Sequence, residues 1–70
     1  MVRLKSLREQ KGLTQQQLAQ KVGITKKAIS AYETGRAIPS LPVALKIAKV
    51  LDVNVEELFG YLNNTPAASR

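Results

Sequence analysis

The chain reads as an all-α, compact domain of five short helices. Apolar residues recur at three- and four-residue spacing, glycines and one proline-containing loop punctuate the periodic stretches, and no stretch alternates apolar with polar as a strand does. The 70 residues suffice for one domain, expected over residues 1–62, with a flexible tail over 63–70 that contains no periodic apolar residue.

Each element follows from local chemistry. From Val2 to Lys11 the chain is rich in helix formers, with Leu4 and Leu7 on one face and Gly12 as a left-handed stop. Thr14 and Gln17 have the spacing of a capping box, which predicts a second helix over Gln15–Lys21 with Leu18, Ala19 and Val22 inward and Gly23 at its end. Thr25 is placed to cap a third helix over Lys26–Thr34, closed by Gly35, so only Gly23-Ile24-Thr25 separates the second and third helices. Ser40 caps a fourth that runs to Leu51, where Pro42 is tolerated because the first turn needs no amide donor, and Ala44, Ile47, Ala48 and Leu51 line its buried side. Asn54 and Glu57 repeat the capping-box spacing, and Val55, Leu58, Phe59 and Leu62 mark a fifth, amphipathic helix.

Composition narrows the chemistry. Without cysteine or histidine the chain has no disulfide, no Cys/His zinc site and no His- or Cys-based catalysis. Ser6, Ser30, Ser40 and Ser69 have no histidine to activate them, and no phosphate-binding glycine loop is present, so an enzyme is not expected. Glu56 and Glu57 point about 100° apart on one helix and suit its first turn better than acid–base work. Asp52, Asn54 and Glu56 have no recognised metal-ligand spacing, and no cofactor is expected. No apolar run approaches the ~18 residues of a membrane span, and the start turns polar too soon for a secretory signal, so a soluble cytoplasmic protein is expected.

Eleven basic against five acidic residues give a formal +6. Residues 1–49 hold ten basic and two acidic side chains (+8), and residues 50–70 one and three (−2). This asymmetry suits a polyanion, because each Lys or Arg that meets a phosphate releases condensed counterions; solubility alone is the other reading. The third helix divides cleanly: Ala28, Ile29, Tyr32 and Glu33 fall on one half, and Lys26, Lys27, Ser30, Ala31 and Thr34 on the other. Such an outward face fits a major groove, although an amphipathic surface helix has the same periodicity.

The segment LTQQQLAQKVGITKKAISAYETGR resembles the helix-turn-helix of the phage repressor and Cro-type (XRE family) transcription regulators. The resemblance rests on Gln15, Leu18-Ala19, Val22-Gly23-Ile24-Thr25, Ile29 and Tyr32-Glu33-x-Gly35-Arg36 at the family's spacing, and it extends through PSLPVALKIAKVLDVNVEELF. The chain looks most like the short regulators without an effector domain, such as cytolysin-repressor-like proteins and restriction-modification controllers. The resemblance implies a lambda-repressor-like fold and a sequence-specific double-stranded DNA-binding regulator, a repressor or autoregulator, whose third helix enters the major groove. It assigns Thr25, Lys26, Lys27, Ser30 and Ala31 to bases or adjacent phosphates, and Gln15 and Arg36 to the DNA backbone, either of which is otherwise a solvated surface residue. Arg8 and Glu33 match a pair that forms a structural salt bridge in several members. The loop Ala37-Ile38-Pro39 departs from the family in lacking the Arg or Lys that some relatives place near the minor groove.

A single module reads few base pairs, which predicts a homodimer on a pseudo-palindromic operator. Val55, Leu58, Phe59, Tyr61 and Leu62 are the expected dimer surface, the alternative being that all five close the monomer core. No small-molecule effector is evident. The competing function is a protein-binding helix-turn-helix module such as an antitoxin or adaptor, which has no need of Lys26, Lys27 and Gln15 on one surface.

Overall fold

The computed structural model describes residues 3–59, with side chains through residue 58. It is all-α, in the order α1 (Leu4–Gln10), α2 (Gln15–Val22), α3 (Lys26–Thr34), α4 (Leu41–Leu51) and α5 (Val55–Phe59). Val2, Tyr61, Leu62 and the expected tail over 63–70 lie outside the described residues.

The caps explain the helix boundaries. The Thr14 hydroxyl accepts from Gln17 N–H at 3.0 Å and Gln17 Oε1 accepts from Thr14 N–H at 2.9 Å, so both arms of the capping box close at the start of α2. Thr25 Oγ1 accepts from Ala28 N–H at 3.0 Å to open α3. Between them Gly23 adopts φ +87°, a left-handed conformation in which its own N–H and that of Ile24 both reach the Ala19 carbonyl. That turn sets the angle between the two helices. At α5 the expected capping box forms by half: Asn54 N–H donates to Glu57 Oε1 at 3.2 Å, and the Glu57 amide bonds the Asn54 backbone carbonyl at 3.0 Å rather than its side chain.

A feature the periodicity does not show is Asp52, which ends α4 at φ +58° without being glycine. Its carboxylate also sits at the negative end of the helix dipole. Asp52→Gly is therefore expected to stabilise the domain by about 0.5–1 kcal/mol, raising the melting temperature by about 2–8 °C. A variant that melts below the parent would show that the aspartate side chain supports the turn.

α2 packs against α3 and α4, α4 against α5, and α1 against both α3 and α5. One core results, from Leu4, Leu7, Leu18, Ala19, Val22, Ile29, Ile47, Ala48, Leu51 and Leu58. Leu58, expected at the surface between copies, has no exposed area and completes this core, and Val55 is half-buried and packed against it. The reason is geometric: α5 packs against both α1 and α4, so its inward leucine is used up inside the monomer.

Candidate DNA-binding site

The candidate site is the outer face of α3 with the first turn of α2. Ile29 is wholly buried and Glu33 nearly so, which turns Lys26, Lys27 and Thr34 to solvent and leaves Ser30 and Ala31 half-buried beside them. Lys26 and Lys27 occupy the first turn of α3, where no acidic residue stands. Positive charge there opposes the helix dipole, at a cost of ~0.3–1 kcal/mol per charge, and an anion bound nearby would relieve it. Local preference is thus sacrificed on the face expected to meet DNA.

The other assigned residues are held in defined positions. Thr25 uses its hydroxyl oxygen as the α3 cap, which leaves its O–H free to donate to a base or phosphate. At the far end of α3, Thr34 Oγ1 donates to the Ser30 carbonyl at 3.0 Å and accepts from Arg36 Nε at 3.1 Å, so Arg36 is steadied beside the helix terminus.

Behind this face, Arg8 and Glu33 form a bidentate pair: Arg8 Nε lies 2.6 Å from Glu33 Oε2 and Nη2 lies 3.4 Å from Oε1. Their side chains are only 9% and 4% exposed, deep enough that solvent screens the pair little. Two contacts were not anticipated from the sequence. Arg8 Nη1 donates to the Leu13 carbonyl at 2.7 Å, and Gln15 Nε2 donates to Glu33 Oε1 at 2.9 Å. The arginine's five donors exceed what one carboxylate can accept, which is the signal that a further acceptor is required. Gln15, expected on a phosphate, spends one amide N–H on Glu33 and keeps the other for an external acceptor. This network ties α1, the turn before α2, the first residue of α2 and α3 into one rigid frame.

Among the described residues every basic side chain except Arg8 is exposed. With Arg8 neutralised by Glu33, the excess positive charge therefore lies wholly at the surface. No group of three or more acidic residues among the described residues is placed to hold a metal ion, and no helix among them is long and apolar enough to cross a membrane.

A family model described as "Helix-turn-helix" matches residues 4–58. The chain belongs to this helix-turn-helix family, of XRE type. Its relatives are named as regulators. It is 42% identical over 57 residues to an uncharacterized HTH-type transcriptional regulator of Archaeoglobus fulgidus, covering 81% of each chain. It is 44% identical over 59 residues to another from Methanocaldococcus jannaschii, covering 84% of this chain and 89% of that one. Among solved structures, a complex of SinR protein with SinI protein matches with a TM-score of 0.79 and 34% identity. That match covers 90% of this chain and 62% of the other. This helix-turn-helix chain is a DNA-binding transcription regulator, and its α2 and α3 are the paired helices that define the family.

Proposed function

We propose that the chain binds double-stranded DNA sequence-specifically with α3 in the major groove, as a homodimer on a pseudo-palindromic operator, and acts in the cytoplasm as a repressor or autoregulator. The observation that carries this reading is the pair of exposed lysines set against the dipole of α3, on a helix whose opposite side is fixed by the Arg8–Glu33–Gln15 network. In this reading Thr25, Lys26, Lys27, Ser30 and Ala31 face bases or nearby phosphates. Gln15 and Arg36 hold the backbone from either end, with the Gln15 and Gln16 amides at the start of α2 available to the same phosphate as the Gln15 side chain.

Selection of bound sequences from a random duplex pool tests the proposal. Against the selected site, Lys26→Ala or Lys27→Ala is expected to cost ~1–3 kcal/mol and to relax the preference at one G·C pair, since lysine donates to guanine O6 and N7. Arg36→Ala should weaken all sequences alike and lower the salt slope by ~1. Equal, sequence-independent losses for all three variants would remove the base-reading roles.

The match to a SinR protein in complex with a SinI protein favours one second reading, a module whose main ligand is another protein. Absence of salt-sensitive duplex binding would support that reading over the first.

A further inference from the structure

The large exposed apolar side chains of the described residues are Ile38, Leu41 and Leu45, at 77%, 64% and 51% exposure. They are close in sequence. Ile38 lies in the loop after α3, Leu41 opens α4, and Leu45 stands one turn further on. At about 100° per residue Leu41, Leu45 and Lys49 share one stripe of α4, beside the stripe of Ala44, Ile47, Ala48 and Leu51 that enters the core. A single exposed leucine needs no explanation, but three large exposed apolar groups within eight residues of so small a domain do.

We infer that Ile38, Leu41 and Leu45 form the surface on which a second copy of this chain docks when two copies occupy adjacent half-sites. The inference rests on the DNA-binding reading above, and it replaces α5 as the dimer surface. Leu58 is buried, so the α4 stripe is the apolar surface that the described residues leave open.

Size, position and self-complementarity favour a second copy. Three partly exposed side chains offer at most a few hundred Å² per copy, well short of the ~800 Å² per partner of a stable free complex. Such a patch holds two copies together only when something else raises their effective concentration, and a shared duplex does so. Ile38 follows the end of α3 by four residues, so the patch travels with the helix assigned to the groove. An antiparallel, two-fold pairing of α4 centred on Leu45 sets Leu41 against the aliphatic stem of Lys49 in the second copy. It also brings Asp52 of one copy towards the positive end of the other copy's α4.

The test compares duplexes with one and two selected half-sites, titrated with the parent chain and with Leu41→Ser/Leu45→Ser, both changes being at exposed positions that leave the core intact. The parent is expected to remain monomeric at micromolar concentration without DNA. On two half-sites its second copy should bind roughly 10- to 100-fold more tightly than on one. The double variant should match the parent on one half-site and lose that gain on two. If the parent fails to bind even one half-site, the DNA-binding reading falls and the inference with it. Normal binding to one half-site with the gain retained in the variant would overturn the inference alone. So would a gain that disappears in Tyr61→Ser/Leu62→Ser but not in Leu41→Ser/Leu45→Ser, or a parent that forms a tight dimer without DNA. Because the chain has no native cysteine, Leu45→Cys gives an independent reading. A short bis-maleimide should join two copies on the two-site duplex, and failure to do so while both copies are bound would also overturn the inference.

Discussion

Glu33→Ala is expected to lower stability by about 3–5 kcal/mol, because it strands the guanidinium of Arg8, whose side chain is only 9% exposed. A domain of this length has roughly 4–10 kcal/mol of total stability, so the variant stands near the edge of folding. The loss should respond little to salt, unlike that of a surface ion pair. Replacing both partners, with Arg8→Met and Glu33→Leu, is expected to be milder than the single change, since no charge is then left buried and alone. Urea denaturation of the three chains checks this. A Glu33→Ala midpoint equal to the parent's would mean that Arg8 escapes to water without cost.

Leu58→Ala should cost about 2–5 kcal/mol, the range for removing a buried leucine and leaving a cavity. The informative readout is its dependence on protein concentration. A residue of the monomer core changes the melting temperature equally at all concentrations, whereas one buried between copies makes the loss concentration-dependent. The first behaviour is expected from the zero exposure of Leu58. The second would return α5 to the contact between copies.

The helices and most of their ends were legible because the signals are local. Thr14, Thr25 and Ser40 accept from the amides three residues ahead, and Gly23 and Gly35 take positive φ, all within a turn of the boundary they mark. The division of α3 was legible for the same reason, since periodicity alone places Ile29 opposite Lys27 and sorts the helix into two halves. The Arg8–Glu33 pair spans 25 positions and was reached through family resemblance, not through pattern. What the sequence did not disclose depends on how much of each surface the rest of the chain covers. Val55 and Leu58 fell within the expected dimer surface because a count of apolar residues in α5 does not say which of them the monomer core takes in. Leu41 and Leu45 were passed over because the buried stripe of α4 accounts for the helix by itself. Asp52 was missed because a left-handed stop is ordinarily read from glycine or asparagine. The bond from Gln15 to Glu33 depends on side-chain reach across two helices, and residue spacing carries no record of it.

The described stretch begins and finishes on a single clasp: Arg3 N–H donates to the Leu58 carbonyl at 3.2 Å, closing α1 against α5. The order of synthesis gives this contact a consequence. Translation proceeds at about 5–20 residues per second, and α1 leaves the ribosome before the other four helices. α1 can close on α3, through the Arg8–Glu33 pair, as soon as α3 emerges, but its contact with α5 waits for the fifth helix. The nascent domain therefore lacks that contact until residue 58 clears the exit tunnel, and a chain terminated before that point is expected to lack it altogether. Truncated copies are therefore expected to leave part of the core that Leu58 completes uncovered, the kind of apolar surface on which chaperones and proteases act.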